Sequence, residues 1–384
     1  MEVALKKKSR FAVFALAIAV ALSLVPSVST AADQSVAELW LTIKSDDQKL
    51  AIQYAGRPDG HPMVFRISGS VFSQVPGGGP AAPGLRQGAK LFNVEGYNIR
   101  KLVRNAEYLY LVTREILFYT DPNDMTKILT SWKNPIDGKT YPVIPIANDT
   151  VNSVYRVKNG ILYGVPANVG LASQFEGAVG APIKLADGTK VFASDISLNY
   201  ALNDDGRYAI ADPFGFASGY TSRPSDKFVG TLPRYTGIEA FDFWITRTGQ
   251  SLALPKDRIT GLTKVPRGPA AFYNSWARVS AMPPFTCIPE SPTNIRAFFH
   301  ARAWTLSGFD KVEPWLKTAV LAYDPQYKEP PLTAPVLPGA SADRFIPAWK
   351  NQTSWSAFHA KVLKGQASDG TDLTWANWCS ANGK

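Results

Sequence analysis

Along most of this chain apolar and polar residues alternate with a period near two, and a helical period shows only towards the two ends. At the start, Val36, Leu39, Trp40 and Ile43 recur at helical spacing and predict a helix over 35–43, ended by the polar Ser45-Asp46-Asp47. Met63, Phe65, Ile67 and Val71 then predict a strand within 62–75 with one buried face, and the Pro/Gly-rich 76–84 reads as a surface loop. The clearest strand region is 89–119, where two apolar runs flank a turn at Asn105-Ala106-Glu107 and predict an antiparallel meander. Asp121-Pro122-Asn123-Asp124 and 134–138 are strong turns around a short strand at 128–132, and 141–146 returns as an edge strand interrupted by Pro142 and Pro145.

Further strands are expected at 160–165, 191–200, 238–247, 270–279 and 295–306, with no internal repeat and no βαβ rhythm between them. Near the end, Val312, Trp315, Leu316, Val320 and Leu321 predict a helix over 311–323, with Pro314 in its first turn. A proline-rich connector follows at 325–338, and 345–363 holds a further helix with an aromatic side. The fold expected is mostly β: an antiparallel meander or lipocalin-like barrel with additional N- and C-terminal helices.

The ends refine this picture. Lys6, Lys7, Lys8 and Arg10 precede an apolar run from Phe11 to Val25 and small residues up to Ala32, the layout of a secretory signal peptide over 1–31. The run is shorter than a membrane span needs. We therefore expect a bacterial periplasmic or secreted protein, with no stable membrane insertion after cleavage, a single β-barrel-like domain over 32–331, and a C-terminal extension over 332–384 packed on it. The 29 glycines and 29 prolines agree with many turns, and ten Trp, fifteen Tyr and twenty Phe agree with a folded core. The net charge of +10 is partly that of the leader, and no dense basic tract or nucleic-acid motif accompanies it, which excludes nucleic acid as the expected partner. The two cysteines, Cys287 and Cys379, either close one disulfide in an oxidising compartment or remain two free thiols.

Candidate chemistry is sparse. No nucleophile elbow, Walker loop or dinucleotide fingerprint is present, and His61, His300 and His359 lack metal-ligand spacing, so neither a cofactor nor a metal is expected. Arg114 and Glu115 interrupt an apolar strand, so alternation sends one of them inward, where a charge requires a partner such as Arg100, Arg104 or Glu95. A cluster of Arg100, Arg114 and Glu115 would bind a carboxylate or hold an acid for proton transfer; a structural ion-pair network is the alternative. Trp132, Asn134, Pro135, Asp137 and Gly138 form the most distinctive local signature; Asn134, together with Asp149, offers polar ligand contacts, and Trp132 is either a flat wall or core filling. On 295–306, alternation places Phe298, His300, Arg302 and Trp304 on one face, suited to an organic anion or proton transfer, or to a satisfied structural histidine.

The strings Leu91-Phe-Asn-Val-Glu-Gly-Tyr97, Thr113-Arg-Glu115, Trp132-Lys-Asn-Pro135 and Asn148-Asp149, with Ser275-Trp276 and Val312-Glu-Pro-Trp-Leu316 further on, resemble a bacterial family of unknown function, number 1838. The resemblance spans residues 36–331 and implies export but no reaction. The function expected is therefore an exported protein holding a small apolar or aromatic organic molecule, with an anionic group as one option, in a barrel pocket closed by an Arg and Glu pair. The alternatives are a cofactor-independent lyase, isomerase or hydrolase using Glu115 or His300 as acid or base with Arg114 as anion stabiliser, and a structural or interaction protein of the envelope.

Overall fold

A computed structural model describes, apart from short gaps, residues 31–75, 85–164, 177–201, 234–245, 252–253, 264–265, 272–288, 293–330 and 379–384. Residues 1–30 of the expected leader, most of the loop 76–84 and the helix 345–363 lie outside the described residues.

Sixteen strands are described: β1 (Met63–Gln74), β2 (Lys90–Asn105), β3 (Tyr108–Asp121), β4 (Asp124–Ile128), β5 (Ser131–Lys133), β6 (Thr140–Pro142), β7 (Ile146–Lys158), β8 (Ile161–Gly164), β9 (Gly177–Ala178), β10 (Ile183–Lys184), β11 (Lys190–Ala201), β12 (Arg234–Ile245), β13 (Leu252–Ala253), β14 (Lys264–Val265), β15 (Phe272–Ala281) and β16 (Arg296–Leu306). They are accompanied by helices α1 (Ala31–Thr42), α2 (Asp46–Ile52) and α3 (Pro314–Tyr323). The main antiparallel sheet runs β10-β11-β12-β15-β16-β1-β2-β3-β7-β8-β9, with β4 alongside β3. This is the strand order of an up-and-down barrel opened at one seam. The last strand of the run, β16, pairs with the first, β1, from Val64 opposite Leu306 to Gln74 opposite Arg296. Among the described residues no pairing joins β9 to β10, so the sheet is an open meander and not a closed barrel.

The sheet is nevertheless rolled. Ala178 and Ile183, at its two ends, are five residues apart, so the chain allows them at most about 18 Å. Laid flat, the same path would separate its edge strands by about 48 Å. Helix α2 bridges the seam. Gln48 donates to the Leu162 carbonyl (3.2 Å) and accepts from the Leu162 N–H (2.9 Å) on β8. Its neighbour Asp47 pairs with Lys190 on β11 and with Lys184 on β10 at 3.6 Å. The hydrogen-bonded Lys190 ammonium holds the Asp47 carboxyl below its ordinary range.

Glycine permits the roll at the tightest point. A Cβ on Gly96 would lie 1.9 Å from the Ile116 carbonyl oxygen, and one on Gly69 would lie 2.4 Å from the Ala301 Cβ. Strands approach this closely only where the inward side chain is missing.

The concave face and its two ends hold most of the core. Ile67, Val71, Phe92, Val94, Leu117, Tyr119 and Phe299 pack with Met282, Phe285 and Ile288 of the loop after β15, which fills one end. Helix α1 fills the other, its Val36, Leu39, Trp40 and Ile43 meeting Leu102, Leu109, Leu111, Tyr155 and Leu162. On the convex face, α3 lays Leu316 and Val320 over Val64, Tyr97, Ile99, Ile116 and Phe118.

The elements depart from expectation in four places. The first helix ends at Thr42, before Ser45 as expected, but Ser45 also caps a second helix, accepting from Gln48 N–H at 3.3 Å, with Asp46 and Asp47 in the favourable first turn. The strand expected at 128–132 divides between β4 and β5. The return expected at 141–146 is only β6, after which β7 runs to Lys158 through polar residues that carry no apolar period. The late helix begins at Pro314, because Phe309–Lys311 forms a separate 3₁₀ turn.

Cys287 and Cys379 form a disulfide across 92 residues. Beyond it the chain end extends β6: Thr140 N–H donates to the Lys384 carbonyl (2.8 Å), and Lys384 N–H donates back (3.1 Å).

Candidate functional site

Strand registers sort the sequence-derived candidates onto two faces. On β2 and β3, Asn98 lies opposite Glu115 and Ile99 opposite Arg114. Glu115 therefore shares the concave face with Asn98 and Arg100, and Arg114 points the other way. The Arg100 guanidinium donates to Asn98 Oδ1 (2.9 Å) and caps the Phe65 ring at 4.0 Å from its centroid; Asn98 Nδ2 in turn donates to Glu115 Oε2 (3.3 Å). Asn98 is buried and the two charged groups are half-buried, so an amide links them without either leaving solvent entirely.

The Arg–Glu pair expected to close a pocket is not formed by Arg114 and Glu115, because a period of two puts adjacent residues on opposite faces. Arg114 instead donates to the carbonyls of Gln326 (2.9 Å) and Glu329 (3.2 Å), fixing the segment that follows α3. Asp149 is the register partner of Arg114, and Asn148 that of Glu115.

His300, Arg302 and Trp304 do share one face, as alternation predicts, and it is the convex one. They lie opposite Ser70, Ser68 and Arg66 of β1. His300 stacks on Phe298 at 6.2 Å, and Arg66 lies 5.6 Å from the Trp304 ring. The sheet therefore separates His300 from Glu115, and the two do not meet at one substrate.

The same face carries an ion network on residues that sequence reasoning left unassigned or paired differently. Arg66 donates to Glu95 (2.6 Å) and to both oxygens of Glu313 (2.9 and 3.0 Å), while Ser68 donates to Glu95 at 2.7 Å. Glu95 is fully buried; burial pushes its carboxyl up from the ordinary range, and Arg66 and Ser68 oppose this only in part. Arg104, the other suggested partner, pairs with Glu38 at 3.5 Å.

The turn signature is held by hydrogen bonds of its own. Asn134 is buried, accepts from Ile136 N–H (2.8 Å) and donates to the Cys287 carbonyl (3.5 Å). Gly138 takes the left-handed φ of 75° that the turn requires. Trp132 packs edge-on against Phe92 at 4.8 Å, as core filling.

What sequence reasoning missed is an aromatic stack on the concave face of β12 and β15. Phe241 and Phe243 are parallel within 3° at 5.7 Å, and Trp276 continues them at 6.4 Å and 16°. Asn274 lies opposite Phe243 and Trp276 opposite Phe241. Across β15 stand Ala303 and Ala301, while the Phe299 ring lies 5.9 Å from Trp276 and Phe243 packs with Phe192 against Phe65 and Met63. Phe241 and Phe243 are half-exposed, whereas Asn274 Oδ1 and Trp276 Nε1 are buried and have no hydrogen-bond partner. The signal in the sequence was the alternation Phe241, Phe243 and Asn274, Trp276, visible only once the two strands are known to pair.

Among the described residues no cluster of His, Cys, Asp and Glu is arranged to hold a metal, and no helix is long and apolar enough to cross a membrane. No curated protein matches the chain. Residues 60–212 match the model of the family described as Protein of unknown function (DUF1838), a match that runs from β1 through β11 and includes both Glu95 and Glu115, in agreement with the strings between Leu91 and Asn152 that resemble it.

Proposed function

We propose that this chain is an exported bacterial protein, acting in the periplasm or outside the cell, that binds a small apolar or aromatic organic molecule on the concave face of its rolled sheet. The observation that carries the reading is the stack of Phe241, Phe243 and Trp276, aromatic rings that remain partly exposed on the sheet. Folded proteins cover aromatic surface where they can, and a parallel ladder of partly exposed rings suits an apolar or aromatic guest. Native mass spectrometry of protein taken from the periplasm, compared with the same sample denatured, tests it. A stoichiometric small molecule released on denaturation supports the reading. No released mass, together with no quenching of tryptophan fluorescence by a panel of bicyclic aromatics, overturns it.

A second reading is a cofactor-independent lyase, isomerase or hydrolase with Glu115 as acid or base. It is favoured by the Arg100–Asn98–Glu115 relay, in which a half-buried carboxylate is oriented by an amide that a guanidinium orients in turn. Turnover of the released molecule, lost in Glu115→Gln, would select this reading over simple binding.

A further inference from the structure

We infer that the corner where α1 turns into α2 docks on the surface of an anionic phospholipid bilayer. This goes beyond the guest-binding reading above and rests only on the export that accompanies it.

Among the described residues six large hydrophobic side chains are exposed, and four of them, Leu41, Ile161, Ile183 and Leu185, gather around this corner. Leu41, in the last turn of α1, is 75% exposed, and Ile183 on β10 is 64% exposed. The contacts of the corner bring them together. Lys44 N–H donates to the Gly160 carbonyl (2.8 Å), and the Lys44 stem lies so close over Gly160 that a Cβ there would meet Lys44 Cγ at 2.7 Å. That sets the end of α1 beside Ile161. Gln48 holds Leu162, the neighbour of Ile161, and Asp47 holds Lys184, which stands between Ile183 and Leu185.

Single exposed aliphatic side chains are ordinary, but four around one corner form a patch that calls for a cover. Charge identifies it. Lys44, Lys49, Lys158, Lys184 and Lys190 outnumber Asp46 and Asp47 there, and Glu38 close by is paired with Arg104. Aliphatic side chains ringed by lysine stems suit a bilayer with anionic headgroups, since the stems lie along the apolar boundary while the ammonium groups reach phosphate. A protein partner suits the corner less, because four side chains fall well short of the roughly 800 Å² that each side of a stable interface buries. Helix α1 is also the first element after the expected leader, so this corner stands nearest the bilayer when the leader is removed.

The test is co-sedimentation with vesicles, either phosphatidylglycerol mixed into phosphatidylcholine or phosphatidylcholine alone. It uses processed protein from the periplasm, with loss of the leader checked by intact mass. Each lysine near an anionic surface contributes about fivefold, so binding to the mixed vesicles should be at least about tenfold tighter than to neutral ones and should weaken with added salt. Leu41→Ser/Ile183→Ser and Lys44→Gln/Lys158→Gln should each lower binding to the mixed vesicles at least about tenfold. Leu321→Ser, at an exposed aliphatic position on α3 over the convex face, should leave it unchanged. Processed protein that sediments with neither vesicle, or equally with both, overturns the inference and leaves the export and guest-binding readings standing. So does a loss in Leu321→Ser as large as that at the corner. A dimer that ignores vesicles and is split by Leu41→Ser/Ile183→Ser shows a second copy covering the corner, which also overturns it. An unprocessed chain overturns the export reading and this inference with it. The comparison of the two vesicle types on the wild-type protein decides the matter where a variant fails to fold.

Discussion

The buried Arg66–Glu95 pair is expected to be one of the most sensitive points of the fold, and Arg66→Met tests it. Glu95 is wholly buried and depends on Arg66 at 2.6 Å and Ser68 at 2.7 Å. Methionine fills much of the arginine stem's volume but leaves the carboxylate with a single hydroxyl donor. Breaking a buried pair from one side costs about 3–5 kcal/mol, because the remaining charge stays desolvated. The outer partner contributes far less: the Glu313 side chain is 41% exposed, and Glu313→Gln should cost below about 1 kcal/mol. Removing both buried charges in Arg66→Met/Glu95→Leu should recover most of the loss, since well-packed apolar replacements of buried pairs are often neutral. Urea denaturation at pH 7, followed by tryptophan fluorescence, measures all four proteins. An Arg66→Met variant within about 1 kcal/mol of the parent, with the double variant no better than the single, would refute the dependence of Glu95 on Arg66.

Three further outcomes follow from the same geometry. Because burial raises the Glu95 pKa in the folded state, the native protein holds more protons than the unfolded chain between the ordinary carboxylate value and the raised one; stability contributed by this group therefore falls as pH rises through that window, and Glu95→Gln should flatten the slope in denaturation curves taken from pH 4 upwards. Gly96→Ala places a methyl 1.9 Å from a backbone oxygen and should cost more than the ~1–3 kcal/mol of ordinary overpacking, while Gly88→Ala, with φ of 72° and open space around it, should cost only about 1 kcal/mol; thermal melts of the two variants compare them directly. Replacing Cys287 and Cys379 by serine reopens a 92-residue loop, for which chain entropy alone predicts a loss of ~4–5 kcal/mol, and limited proteolysis should then cut the C-terminal tail faster than in the oxidised parent.

Much of the architecture was legible in the residues. Alternation located β1, β2, β3, β11, β12, β15 and β16 to within a few positions, because a strand with one covered face writes its period directly into the sequence. The same period placed His300, Arg302 and Trp304 together and set Arg114 and Glu115 on opposite sides. Long polar stretches hid their structure: β7 passes through Asn148-Asp149-Thr150 and owes its place to pairing with β3, not to a pattern of its own. The polar Ser45-Asp46-Asp47 marks the end of the first helix but not the start of the second, since a cap and a terminator share one composition and differ only in what the next turn packs against.

The sequence by itself determined the antiparallel class, the helices at both ends, the inward turn of one residue from Arg114 and Glu115, and the two cysteines that could pair. Which face is concave, where the sheet opens, and which side chains meet were decided only by tertiary structure. A period of two assigns residues to faces but carries no information on which strand lies next to which. That choice is made by contacts distant in sequence: β16 returning to β1, α2 bridging β8 and β10, and Glu313 reaching Arg66. For the same reason the aromatic stack emerged only when β12 and β15 were brought side by side.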